Sequence, residues 1–324
     1  MAKKALITGI TGQDGSYLAD LLLEEGIEVY GIVRRNSAIN PQRERIEHIK
    51  DRITAIYGDM SDFISLWRIV EDLKPDYVFN LAAISQVKIS FDVPEYTMDV
   101  NGNAVQVLLD ACRRYCPEVR FYQASSSEMF GQGIDTDGYQ RETTPLSPSS
   151  PYAVSKVTAY NFVRHYRRAY GLHASNGILF NHESERRGYN FVTQKVARGV
   201  AEIKLGLRDT IELGNLDAYR DWGHAKDYVK AMWLMVNHEV SADFVVATGV
   251  THSVREMCDV MFGHAGLDSI NHITFNPKYL RPEEVPMLKG DITKVKEALG
   301  WTPVITFEQM MCDMVNNWLN ILAK

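Results

Sequence analysis

The stretch Thr8-Gly9-Ile10-Thr11-Gly12-Gln13-Asp14-Gly15 follows the apolar run KALI and leads into SYLADLLLEEG. Its three glycines have TGxxGxxG spacing. Gly9 permits a tight turn, Gly12 lets a pyrophosphate approach the backbone, and Gly15 lets a helix pack closely on a strand. The helix that opens there points its N–H groups and the positive end of its dipole at the turn, a natural anion site. A glycine motif alone is weak evidence. Set between a strand and an amphipathic helix, it predicts dinucleotide binding. The expected cofactor contacts in this turn are Gly9, Thr11, Gly12, Gln13, Asp14 and Gly15.

Outward from the turn, apolar strands alternate with amphipathic helices. Strands are expected at 4–9, 28–33, 54–59, 77–83, 119–126 and 173–180. Helices are expected at 15–26, 64–74, near 97–115 and at 152–171, the first and last closed by Gly26 and Gly171. This βαβ succession implies a doubly wound, Rossmann-type parallel sheet with helices on both faces, an α/β fold. Residues 1–180 are read as the dinucleotide-binding domain, with its sheet completed by strands from about 211–250, DFVVATG among them. Residues 181–324 are read mainly as a smaller α/β substrate domain, partly intertwined with the first.

The 324 residues are 45% hydrophobic and 23% charged, as in an ordinary globular protein. A net charge of −6 argues against general nucleic-acid binding, which shows as a basic surplus. The four cysteines form no CxxC pair and no histidine cluster has zinc spacing, so no metal site is expected. No stretch approaches the roughly 20 apolar residues of a membrane span. A cytoplasmic protein without a membrane partner is the expectation.

Strand two ends in Val33-Arg34-Arg35. An acidic residue there would hold a ribose 2′-hydroxyl, whereas arginines suit a 2′-phosphate. NADP is therefore the expected cofactor. Asp59 and Met60 follow strand three, with Asp59 a candidate acceptor for the adenine amino group. Leu81, Ala82 and Ala83 end strand four and would lie along the cofactor.

Strand five runs into ASSSEMFG, which places Ser126 and Glu128 at a strand end, where open α/β sheets keep their chemistry. Tyr152 and Lys156 form Tyr-x-x-x-Lys, and positions i and i+4 share a helix face. A nearby ammonium favours the phenolate, so Lys156 is expected to lower the Tyr152 pKa and make it a usable acid/base. Ser126, Glu128, Tyr152 and Lys156 are the expected catalytic set.

Together, TGxxGxxG, Leu-Ala-Ala, the serine and YxxxK resemble the extended short-chain dehydrogenase/reductase family. TGITGQDGSYLADLLLEEG, RRNS, RFYQASSSEMFG, SPYAVSK, NGILFNHESERRG, FVTQKV, RDWGHAKDYVKAMWLM and FVVATG narrow the resemblance to its GDP-mannose 4,6-dehydratase branch. Departures from the branch are Ser126 for a frequent Thr, Ile84-Ser85-Gln86-Val87 for Gln-Ser-(Phe/His)-Val, and Glu185 for Pro. The resemblance implies an internal redox cycle. The sugar is oxidised at C4 with Tyr152 taking the O4 proton, Glu128 removes the C5 hydrogen as water leaves C6, and hydride returns to C6. A pure reductase or epimerase does not need the extra base, so Glu128 is what favours a lyase. GDP-manno-heptose as substrate, or a nucleotide-sugar 4-reductase or epimerase, are the alternatives.

The same resemblance implies further contacts. Ser85, Tyr96, His182 and Arg187 join the cofactor set. Ser85, Ser126, Asn181, Val192, Lys195, Gly214, Arg220, Arg281 and Glu284 form the substrate set. Arg35 and the stretch 36–45 resemble a loop that reaches a neighbouring subunit's cofactor, which implies a homo-oligomer, a tetramer or a dimer.

Overall fold

The computed structural model describes residues 2–34, 41–280 and 282–323, without the side chains of residues 41–43. Arg35 and Arg281 therefore lie outside the described residues. The strands are β1 (Lys4–Thr8), β2 (Glu28–Val33), β3 (Ile53–Tyr57), β4 (Tyr77–Asn80), β5 (Arg120–Ser126), β6 (His173–Leu179), β7 (Asn181–Glu183), β8 (Ile211–Leu213), β9 (Tyr219–His224), β10 (Asp243–Val246), β11 (Thr251–Ser253), β12 (Ile273–Phe275) and β13 (Met287–Leu288).

Seven of them form a parallel sheet in the order β10-β6-β5-β4-β1-β2-β3. Its strands read as continuous apolar runs because both faces are covered. The two-residue side-chain period divides them between two cores. On β1, Ala5 and Ile7 join the core under the helices Gln13–Glu24 and Ala225–Asn237. Leu6 faces the other way, under Phe63–Leu73, Ala104–Tyr115 and Pro151–Tyr170. On β4, Tyr77 and Phe79 oppose Val78 in the same manner. Each buried Leu, Ile or Phe contributes about 1.5–3 kcal/mol, so a one-residue slip of register would cost many such terms.

Strand order reverses between β1 and β4, which opens a crevice at their carboxyl ends. Over it sits a second layer, built on the sheet β11-β9-β13 with β7 beside β9. The helices Val192–Lys204, Val254–His264 and Phe307–Leu322 share one apolar core there with Trp222. β7 follows β6 after Phe180, so the chain leaves the large sheet and enters the second layer within one residue.

Two local features differ from the sequence expectation. The first helix begins at Gln13, which puts Gln13 and Asp14 in its first turn. The helix expected near 97–115 is composite. It comprises Pro94–Met98, a π-turn over Asp99–Asn103, and Ala104–Tyr115. The π-turn turns the buried Asn101 onto the backbone of Ile84, donating to its carbonyl at 3.2 Å and accepting from its N–H at 2.8 Å. A tertiary bond of this kind leaves no trace in apolar spacing.

The glycine loop is as tight as its spacing implies. Gly9 has φ +73, and a Cβ there would lie 2.9 Å from the Ala82 Cα. A Cβ on Gly15 would lie 2.3 Å from the Gly9 carbonyl oxygen, with backbone on every near side. Gly26 also has a positive φ but has no atom within 4 Å of that position. Gly15→Ala is therefore expected to destabilise by about 3 kcal/mol or more through overpacking. Gly26→Ala should cost about 1–2 kcal/mol from backbone conformation alone. Urea denaturation of the two variants checks the ranking, and equal losses would contradict it.

Candidate active site

A cleft of about 610 Å³ lies where the two layers meet. β5 delivers one wall. Ser126 ends the strand, and its Oγ accepts the Glu128 N–H at 3.2 Å. This caps the short turn Ser127–Met129 and holds the half-buried Glu128 at the cleft. The helix Pro151–Tyr170 delivers the facing groups. Ser150 caps it by accepting the Ala153 N–H at 3.1 Å, and Pro151 occupies the first turn, where its missing N–H costs nothing. The Tyr152 N–H donates to Ser90 Oγ at 3.1 Å, which fixes the start of the helix against the segment after β4.

Lys156 is buried, and its Nζ donates to the Ala124 carbonyl at 2.8 Å. Burial lowers its pKa to about 8, against the pull of the Asp14 carboxylate. Burial pushes Tyr152 up to about 12, opposed by a hydrogen bond with Ser126. This corrects the expectation that Lys156 lowers the tyrosine. The ammonium is 5.8 Å from the phenol ring centroid and is spent on a carbonyl. In this state desolvation of the phenolate outweighs the cation.

Of the other expected residues, Asp14, Leu81, Ala83, Ser85, His182 and Arg187 line the cleft. Asn181, Val192, Lys195, Gly214, Arg220 and Glu284 line it as well, toward its C-terminal wall. Lys195 sits over the Tyr279 ring, 3.3 Å from its centroid, and donates to the Glu212 carbonyl at 2.5 Å. Arg220 is buried, with a nitrogen 4.0 Å from the Glu284 carboxylate.

The remainder lie off the cleft. Gly9, Gly12 and Gly15 form the turn beside Ala82, and the Thr11 carbonyl accepts from Arg45 at 3.1 Å. Gln13 is occupied by the second layer: its Nε2 donates to the His182 carbonyl at 3.0 Å and its Oε1 accepts from Ser184 at 2.8 Å. Arg34 donates to the Tyr96 hydroxyl at 3.3 Å, which brings those two together at the end of β2. Asp59 accepts from Ser61 N and Oγ, at 2.9 and 2.8 Å, and Met60 is buried.

The helix Gln13–Glu24 has Gly12 at its N-cap and no side-chain cap. An uncapped first turn beside a glycine loop with no Cβ in the way fits a dinucleotide phosphate.

Sequence reading missed several groups. Gln86 and Lys88 reach the cleft from just past β4, and Gln86 Nε2 donates to the Asn190 carbonyl at 3.3 Å. Their place just after a strand's carboxyl end was the available signal. Asn101 offered none. It also donates to Ser155 Oγ at 3.1 Å, and Ser155 donates to the Tyr152 carbonyl at 2.7 Å. It thereby ties the β4 exit to the helix of Tyr152.

The fold and this site define an enzyme of the extended short-chain dehydrogenase/reductase class that works on nucleotide sugars. The family model described as GDP-mannose 4,6 dehydratase matches residues 6–314. The chain belongs to that family. It is 50% identical to GDP-mannose 4,6 dehydratase 1 of Arabidopsis thaliana, over 99% of this chain and 91% of that one. It is 46% identical to GDP-mannose 4,6-dehydratase of Vibrio cholerae, over 100% of this chain and 96% of that one. Among solved structures, UDP-glucose 4-epimerase of Thermotoga maritima with UDP-glucose superposes with a TM-score of 0.86 at 25% identity, covering 98% and 99% of the two chains. The dTDP-glucose 4,6-dehydratase of Bacillus anthracis in complex with NAD gives 0.84 at 21% identity, covering 98% and 97%.

Asn101→Ala leaves the Ile84 N–H without its acceptor inside the fold. A loss of about 2–3 kcal/mol is expected, the cost of an unsatisfied buried group plus lost bonds. Chemical denaturation checks it, and a change within about 0.5 kcal/mol would show that the π-turn does not depend on this side chain.

Proposed function

We propose that this member of the family dehydrates GDP-mannose to GDP-4-keto-6-deoxy-mannose with bound NADP, and that Ser126, Glu128, Tyr152 and Lys156 carry the cycle. The observation that supports it most is Glu128. It stands two residues beyond Ser126 in the cleft that Tyr152 and Lys156 also line, so a second acid/base faces the same space as the redox pair.

The cofactor supplies a hydride acceptor at C4 and a hydride donor at C6. The protein's part is proton handling and orientation. Tyr152 takes the O4 proton as the phenolate; burial favours the neutral phenol, so a cation has to offset the desolvation, a role that suits Lys156 and would suit an oxidised nicotinamide once bound. Ser126, whose hydroxyl works against the rise in the Tyr152 pKa, would orient O4 beside it. Once C4 is a ketone, the C5 hydrogen is acidic. Glu128 removes it, and its proton goes to the departing C6 hydroxyl, which leaves as water. Return of hydride to C6 and of a proton to C5 completes the product, and Tyr152 gives up the O4 proton in the same stage, so protons balance over the cycle.

Lys195 and Arg220 supply cations for the diphosphate, and Asn181 and Ser85 supply polar contacts for the sugar. Arg34 supports NADP over NAD through a 2′-phosphate contact. The resemblance of Arg35 and the 36–45 stretch to a subunit-reaching loop is what supports a homo-oligomer; residues 35–40 lie outside the described residues, and Arg45 donates to the Thr11 carbonyl of its own chain's glycine loop.

Incubation with GDP-mannose and no added cofactor, read by mass spectrometry, is expected to give loss of water and no net NADPH change. Net NADPH consumption would instead support a reductase. Dehydration of GDP-manno-heptose without turnover of GDP-mannose would move the substrate and keep the mechanism. Glu128→Gln should bind NADPH normally and lose dehydration by about 100-fold or more, the scale of general acid/base catalysis. Full activity in that variant would remove Glu128 from the cycle.

A further inference from the structure

The helix that meets the dinucleotide phosphates carries an anion in its first turn. Asp14 lies one residue before Gly15, lines the cleft, and is mostly buried. A carboxylate there favours the helix dipole but opposes an anionic ligand docking on the same N–H groups. The structure contains an answer to that conflict. His182 Nε2 is 2.8 Å from Asp14 Oδ2, and His182 Nδ1 is 2.7 Å from the Phe180 carbonyl oxygen. Neither partner has a proton to give while Asp14 is ionised, so the ring donates from both nitrogens and is an imidazolium. The other Asp14 oxygen accepts from Gln13 Nε2 at 3.1 Å. The Tyr228 ring stacks on the imidazole with centroids 4.6 Å apart, which holds its plane.

We propose that Asp14 and His182 form a fixed carboxylate–imidazolium pair whose function is to cancel the Asp14 charge where the anionic cofactor docks. This rests on the dinucleotide reading of the glycine loop and deepens it. The second layer thereby contributes to cofactor binding through charge, besides any direct contact. The neighbouring Arg187, with Nε 3.0 Å from Glu183 Oε2, adds a second cation that also favours the Asp14 carboxylate. Glu183 also accepts from Thr193 Oγ1 at 2.5 Å. The raised pKa of His182 and the lowered pKa of Asp14, each favoured by the other's charge against burial, agree with an ionised pair.

The test is NADPH titration by fluorescence on purified apoprotein, with thermal melting of each variant as a folding control. His182→Gln keeps a donor toward Asp14 but removes the positive charge. It is expected to weaken NADPH binding about tenfold, the scale of one unscreened partial-charge interaction. The deficit should narrow as salt is raised. In Asp14→Asn a buried histidine freed of its partner reverts to the neutral ring, so the deciding comparison is made in the His182→Gln background. Adding Asp14→Asn to His182→Gln should tighten NADPH binding severalfold over His182→Gln alone. A latch that acts only by holding the layers together predicts the opposite pattern: both single variants weaken, the double is weakest, and salt changes nothing. That pattern overturns the proposal, as does wild-type affinity in His182→Gln. Failure of the wild type to bind any nicotinamide dinucleotide would overturn the cofactor reading itself, and this proposal with it.

Discussion

The Thr8 hydroxyl, buried between β1 and β4, donates to Asn80 Oδ1 at 2.6 Å and accepts from the N–H groups of Leu81 and Ala82 at 3.1 and 3.0 Å. This contact sets the crevice. It holds the β4 exit against the glycine turn closely enough that Gly9 has no room for a Cβ. Strand order reverses here, so the chain on either side departs in opposite directions and leaves a gap that helices do not cover. A Val in place of Thr8 would keep the shape and the 3.3 Å bond from the Leu81 N–H to the residue 8 carbonyl, but would leave the Ala82 N–H and an amide oxygen to find other partners.

The same polar thread continues across the sheet to the chemistry. Asn80 donates to Gln123 at 2.8 Å, Gln123 donates to the Ala124 carbonyl at 3.1 Å, and Lys156 donates to that same carbonyl at 2.8 Å. One strand further, Ser125 donates to Asn176 at 3.2 Å, and Asn176 donates to Asp243 at 2.8 Å. Buried amides and hydroxyls thus link neighbouring strands across the sheet, from Thr8 at the end of β1 to Asp243 at the start of β10. Low dielectric makes such a network costly if broken and rigid if complete. Ser126, Glu128, Tyr152 and Lys156 are mounted on this frame.

Much of this was legible because it is periodic or punctuated. Alternating apolar runs gave the parallel sheet, and the glycine spacing gave the cofactor turn. Serine and YxxxK, resting on a strand end and one helix face, mark residues that line one cleft, the candidate site. What escaped reading is set by contacts between distant segments. Asn101 sits in a helical stretch of ordinary composition, and only its π-turn directs it to Ile84. The protonation balance of Tyr152 and Lys156 also escaped. A neighbouring cation argues for a lowered phenol, but the depth of burial decides the sign, and depth is not a local property of sequence.

By itself the sequence determined the sheet, its glycine turn, the residue types of the candidate site and the family, since each rests on short-range spacing or on many matched positions. The tertiary structure alone decided where charge is balanced. Gln13 and Asp14 belong to the cofactor helix, and His182 and Ser184 lie about 170 positions later. Their bonds exist because β7 leaves the large sheet one residue after β6 ends and lies beside that helix. Electrostatic and hydrogen-bond energies depend on separations of a few ångströms, and separation across the chain is a property of the fold.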